Sequence, residues 1–123
     1  MKVLKFGGSS VASSESINKV INIVKESSFK NNVAVVVSAL GGVTDLLLKA
    51  GELACKADEA YKEQFNNIQE RHLNVVRELI PVNAQSGILG EVKKKLNKLE
   101  TTLEGVFLIN ELSNKTSDKL VSF

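Results

Sequence analysis

The hydrophobic pattern of the chain changes its period near residue 44. Lys2-Val3-Leu4-Lys5-Phe6 is a short apolar run that breaks at Gly7-Gly8, and it reads as a strand. Ser9 to Ser14 is small and polar, as in a loop. Ile17, Val20, Ile21 and Val24 then recur at i, i+3, i+4 and i+7, which predicts a helix running to about Ser27. Ser13 or Ser14 is placed to cap it, and Glu15 complements its dipole. Asn31-Asn32 marks a turn. Val33 to Val37 is a continuous apolar run, the pattern of a strand buried on both faces in a parallel sheet. It ends in Ser38-Ala39-Leu40-Gly41-Gly42, after which Thr44-Asp45 can cap a further helix.

From there the period is helical. Leu47, Ala50, Ala54 and Ala57 share one face. Tyr61, Phe65, Ile68, His72, Val75 or Val76, and Leu79 form a stripe that stops at Pro81. Pro81 to Gly87 is turn-like. Leu89, Val92, Leu96, Leu99, Leu103 and Val106 form a second stripe. Two stripes joined by a short loop predict an antiparallel helical hairpin. Thr116 or Ser117 can cap a last short helix. No linker or internal repeat divides the chain.

Composition narrows the class. The chain has 123 residues, of which 43% are hydrophobic and 24% charged; that is an ordinary globular balance, not a disordered one. No apolar run approaches the roughly 20 residues a membrane helix needs. A net charge of +2 gives no footprint for nucleic acid or an anionic membrane. The lone Cys55 cannot form an internal disulfide, and the start lacks a signal peptide, so a cytoplasmic location is expected.

The first 43 residues carry the candidate chemistry. A strand–helix–strand unit has a right-handed crossover, so its two strands are expected to be parallel neighbours whose carboxyl ends share one edge. Each end opens into a glycine- and hydroxyl-rich loop. Open α/β sheets bind ligands at that edge, and helix N-termini with exposed N–H groups favour anions. Lys5, at the end of the first strand, can bring an ammonium to the same place. The loops match neither the P-loop nor the Gly-x-Gly-x-x-Gly fingerprint, and a tight turn requiring glycine is the competing reading. Elsewhere the bland readings prevail. His72 is a core histidine, Cys55 a small packed residue, and Asp45 a helix cap. Lys93-Lys94-Lys95 with Lys98 is a solvated helix face, with phosphate binding the lesser alternative.

Lys5-Phe6-Gly7-Gly8-Ser9-Ser10-Val11 resembles the opening motif of the aspartate kinases, within the amino acid kinase family. Val37-Ser38-Ala39-Leu40-Gly41-Gly42-Val43-Thr44-Asp45 resembles that family's second motif. Glu111-Leu112-Ser113 and Asp118-Lys119-Leu120-Val121-Ser122-Phe123 resemble the segment leading into its Ser-Phe-Gly-Glu motif. The resemblance covers the whole chain. Ser9 stands where threonine is commoner, which keeps the hydroxyl, and the sequence stops before the expected Gly-Glu.

The resemblance implies an α/β fold: the start of a three-layer α/β/α amino acid kinase domain, with two parallel strands followed by a long helical hairpin region. Residues 1–123 would be the amino-terminal, incomplete part of that domain, inactive by itself. The parent would be a monofunctional aspartate kinase or a fusion with homoserine dehydrogenase. It would transfer the γ-phosphoryl of ATP to the side-chain carboxylate of L-aspartate, the first step toward lysine, threonine and methionine. Lys5 is implied as the catalytic ammonium. Lys5, Gly7, Gly8, Ser9 and Ser38 are implied as phosphate-binding, and Ser38 and Thr44 as substrate-binding. The implied cofactor is ATP with Mg2+, whose metal ligands lie outside these residues. The implied partners are small molecules, with no nucleic acid or membrane, in a homo-oligomer. Kinases of acetylglutamate, glutamate, carbamate or UMP, and a non-catalytic binding or dimerisation module, are the alternatives.

Overall fold

The computed structural model describes residues 1–109 and 114–123. Its elements are β1 (Lys2–Phe6), a 3₁₀ turn (Gly8–Val11), α1 (Ser14–Ser28), β2 (Val33–Val37), α2 (Val43–Cys55), α3 (Tyr61–Leu79), α4 (Val82–Ile109) and α5 (Asn114–Ser122). They gather into two compact units, Met1–Val43 and Thr44–Phe123.

In the first unit β1 and β2 pair in parallel, with Lys2 opposite Val33 and Phe6 opposite Val37, as the crossover argument requires. Ser13 caps α1, its hydroxyl accepting the Ser16 N–H at 3.2 Å. The α1 side chains Ile17, Val20, Ile21 and Val24 line a groove together with Val35 and Val37 of β2. Because side chains alternate along a strand, α1 lies over the face of β2 that carries Val33, Val35 and Val37. The expectation of a strand buried on both faces does not hold: Val35, Val36 and Val37 are 43%, 49% and 56% exposed. The sheet has two strands, so β2 is paired on one edge and lacks the second neighbour that its composition suits.

The second unit is helical. In α2, Leu47, Ala50 and Ala54 are buried. Ala57 does not continue that face. The helix ends at Cys55, and Ala57 is left-handed with φ 56°. Thr44 and Asp45 do not cap α2 from outside, because the helix already begins at Val43, where the Val43 N–H donates to the Leu40 carbonyl at 3.0 Å. Asp45 instead lies in the first turn, where a carboxylate complements the dipole.

In α3 the buried residues are Tyr61, Phe65, Ile68 and Leu73. His72 is half-buried, its Nδ1 lying 2.7 Å from the Ile68 carbonyl oxygen one turn back. The Pro81–Gly87 turn does not exist as such, since α4 starts at Val82. Proline before a helix costs nothing, its missing N–H being one the first turn leaves unbonded anyway. The Gln85 side-chain amide donates to the carbonyls of Arg77 (3.0 Å) and Ile80 (2.7 Å), satisfying acceptors that the end of α3 leaves open. Leu96, Leu99, Leu103 and Val106 of α4 are buried. The ring of Tyr61, at the start of α3, lies 5.3 Å from that of Phe107, near the end of α4, so the two helices run antiparallel as the stripes predicted. Helix α5 starts at Asn114, which places Thr116 and Ser117 inside it rather than at its cap. Leu120 anchors it, 1% exposed. Glu111-Leu112-Ser113 lies outside the described residues.

Candidate functional site

The parallel register brings the two strand exits side by side. Beyond the last paired residues, the Ser38 N–H donates to the Phe6 carbonyl at 3.2 Å, which extends the ladder by one step. The two glycine-rich loops therefore leave the sheet at one edge and touch.

Their contact is made by backbone. A Cβ built on Gly41 would lie 2.8 Å from the Gly8 carbonyl oxygen and 2.9 Å from the Ala12 Cβ. Nothing larger than glycine fits unless the loops separate. Gly8 is less constrained, since its Cβ would sit 3.5 Å from the Gly41 Cα and 3.6 Å from the Ser38 Oγ, both ordinary contacts. A Cβ on Gly7 would meet nothing within 4 Å, so crowding does not explain that glycine. Gly42 is held at φ 82°, a left-handed conformation that favours glycine.

Of the residues singled out from the sequence, the structure brings Gly8 and Ser38 together. The exposed Ser38 hydroxyl donates to the Ala39 carbonyl at 2.8 Å, which leaves its oxygen free to accept. Gly7 and Ser9 are exposed in the first loop. The 3₁₀ turn begins at Gly8, and the leading N–H groups of a helical turn, here those of Gly8 and Ser9, have no partner within it. The Ser10 N–H is occupied by the Gly7 carbonyl at 3.1 Å.

Lys5 is exposed one residue before the end of β1, opposite Val36. Alternation along the strand places it with Val3, Ala34 and Val36 on the face away from α1. Thr44 belongs to the second unit, exposed in the first turn of α2. Gly41 and Ala12 escaped the sequence reading. The Gly41-Gly42 doublet marked a turn, but the partners that crowd Gly41, Gly8 and Ala12, are 33 and 29 positions away in the chain.

The assembled groups suit an anion. They comprise backbone donors in a glycine loop and a hydroxyl on the neighbouring loop. Among the described residues, no group of three or more His, Cys, Asp or Glu side chains is placed to hold a metal ion, and no helix is long and apolar enough to cross a membrane.

Comparison with known proteins gives a consistent picture. A family model described as the amino acid kinase family matches residues 1–116. Aspartokinase 1, chloroplastic, of Arabidopsis thaliana is 38% identical over 124 residues, 98% of this chain and 21% of the relative. The bifunctional aspartokinase/homoserine dehydrogenase of Buchnera aphidicola is 29% identical over 131 residues, 99% of this chain and 15% of the relative. Among solved structures, E. coli aspartokinase III in complex with aspartate and ADP superposes with a TM-score of 0.83 at 29% identity, over 99% of this chain and 25% of that one. The chain thus spans about a fifth of the length of the Arabidopsis aspartokinases it matches. The family model spans residues 1–116 of the 123, and the chain belongs to the amino acid kinase family.

Proposed function

We propose that this chain is the amino-terminal part of the kinase domain of an aspartate kinase, with the touching glycine loops holding the phosphates of ATP. The observation that carries the reading is the close packing of Gly41 on Gly8 at the carboxyl edge of two parallel strands. This packing leaves a backbone surface that a phosphate can approach. The similarity to aspartokinases, one of them the E. coli enzyme in complex with aspartate and ADP, supports the choice of substrates.

In the proposed reaction a side-chain carboxylate oxygen of aspartate attacks the γ-phosphorus. The bond from that phosphorus to the bridging oxygen breaks, and ADP leaves with the electron pair. A carboxylate is already a nucleophile at neutral pH, so no general base is needed. The protein's task is positioning and charge neutralisation. Lys5 supplies an ammonium for charge that builds on the transferring group. Gly7, Gly8 and Ser9 offer N–H donors to the phosphates. Ser38 borders both ligands, and the Thr44 hydroxyl orients aspartate. Mg2+ bound with ATP supplies further neutralisation, and no residue of this chain is assigned to it. A cytoplasmic enzyme acting as a homo-oligomer completes the proposal.

The test uses the full-length protein that carries these residues. ADP release should require both ATP and aspartate. Lys5→Ala should lower kcat about 10²- to 10³-fold, as loss of a transition-state donor does, with little change in the KM for aspartate. Thr44→Val should instead raise that KM. Faster turnover with acetylglutamate, glutamate, carbamate or UMP, or near-normal turnover of Lys5→Ala, would overturn the reading.

A further inference from the structure

The lysine-rich stretch of α4 has no part in that reaction. On one face of the helix, Lys94, Asn97, Lys98 and Thr101 follow each other at helical spacing. Together with Lys119 and Phe123 they line a cleft of about 440 Å³. Three lysines thus line one concave space within the second unit.

A solvated face alone does not account for this arrangement. Lys94 and Lys98 are one turn apart, and like charges at that spacing oppose each other. Lys98 has no acidic residue three or four positions away on either side, and Lys94 has only Glu91. Lys95, by contrast, has Glu91 four positions before it, the spacing of a helical ion pair, and neither Lys93 nor Lys95 lines the cleft. Among the described residues, none of the three cleft lysines has an ion-pair partner. Asn97 adds an amide donor. The Thr101 hydroxyl donates to the Asn97 carbonyl at 3.0 Å, so the ammoniums and the amide are the donors left for a ligand. Phe123 gives the cleft one apolar wall, next to which charge interactions are less screened than in open water.

We propose that the cleft lined by Lys94, Lys98 and Lys119 binds a small polyvalent anion of the oligophosphate class. Lysines recognise such a ligand as point charges, so charge density selects it.

Inorganic tripolyphosphate titrated calorimetrically into the full-length protein that carries these residues is the test. Lys94→Gln/Lys98→Gln should weaken binding at least about tenfold, the loss expected for charge-assisted hydrogen bonds. Lys119→Gln should weaken it by a smaller factor. Lys93→Gln/Lys95→Gln removes the same charge from the same helix but outside the cleft, and should change affinity less than about twofold at physiological ionic strength. Equal losses in the two double variants, or no binding at all, would overturn the proposal. Citrate binding as tightly as tripolyphosphate would overturn the oligophosphate class. The losses in the cleft variants should persist in a Lys5→Ala background, which weakens any tripolyphosphate held at the glycine loops. If Lys5→Ala abolishes binding and the cleft variants do not, the anion sits at the glycine loops. The cleft proposal then fails while the proposed function stands.

Discussion

In the helical unit, Ala50, Ala54 and Leu103 are completely buried and Leu47, Ile68 and Leu99 nearly so, whereas in the strand–loop unit burial reaches only Val11, Val20 and Val43, and the valines that end β2 stand open. The two units are held by different means. Interlocking apolar side chains hold the helices, where removing a methylene leaves a void. A five-residue parallel ladder and the fit of two glycine backbones hold the loops, where adding a methyl group does the damage. The candidate anion site therefore lies in the unit with less buried apolar surface, the usual place for segments that must adjust to a ligand.

Four substitutions would break or sharpen that contrast, the first with the largest effect. Leu103→Ala should destabilise the helical unit by about 2–5 kcal/mol, the range for emptying a well-packed leucine site, and denaturant unfolding followed by helical circular dichroism would show it. Gly41→Ala should cost less, about 1–3 kcal/mol as an overpacking strain, and its effect should be confined to residues 1–43. Hydrogen exchange resolved by peptide should show lost protection in that unit and none in α3 or α4. If α3 and α4 loosen as well, the two kinds of packing are not separable.

Ser13→Ala removes the cap of α1 and should cost about 1 kcal/mol, seen as faster exchange at the Ser16 amide, which loses its acceptor. The smallest effect concerns Tyr61. Burial, followed by the nearby carboxylates of Glu104, Glu100 and Glu59, raises its phenol above the ordinary value of 10.0. The folded state therefore holds the proton more tightly than the unfolded chain. The stability this gives is fully present below pH 10 and is lost as pH rises through the raised value. Tyr61→Phe should remove that alkaline decline and leave the stability at pH 7 little changed. An alkaline decline that persists in the variant would assign it to another group.

Much of the fold was legible because its signals are local. The spacing of Ile17, Val20, Ile21 and Val24 specifies a helix whatever surrounds it, and the caps and breaks around Ser13 and Gly7 follow from side-chain chemistry at those positions. Ala57 sits at a helical spacing, yet the backbone turns left-handed there. Pro81-Val82-Asn83 reads as a turn by composition, yet Gln85 caps the preceding helix and lets the next begin at once. His72 falls on the stripe, but Leu73 takes the buried place. At Pro81 a contact between successive helices decides, whereas at Ala57 the end of α2 closes locally, the Asp58 N–H donating to the Leu53 carbonyl at 2.9 Å.

The candidate site divides the same way. The sequence by itself determined which residues could meet an anion, since the Lys5-Phe6-Gly7-Gly8 and Ser38-Ala39-Leu40-Gly41-Gly42 runs each end an apolar strand in flexible, donor-rich backbone. That the strands run parallel and share an edge followed from the helix that joins them, the crossover that parallel neighbours require. Only the tertiary structure decided that Gly41, rather than Gly7, is the sterically locked glycine. A Cβ there would collide with the carbonyl of Gly8 and the methyl of Ala12, atoms that folding brings close from the far side of α1 in the chain. Local pattern fixes what each segment prefers, whereas van der Waals exclusion between distant segments fixes how close two backbones can come.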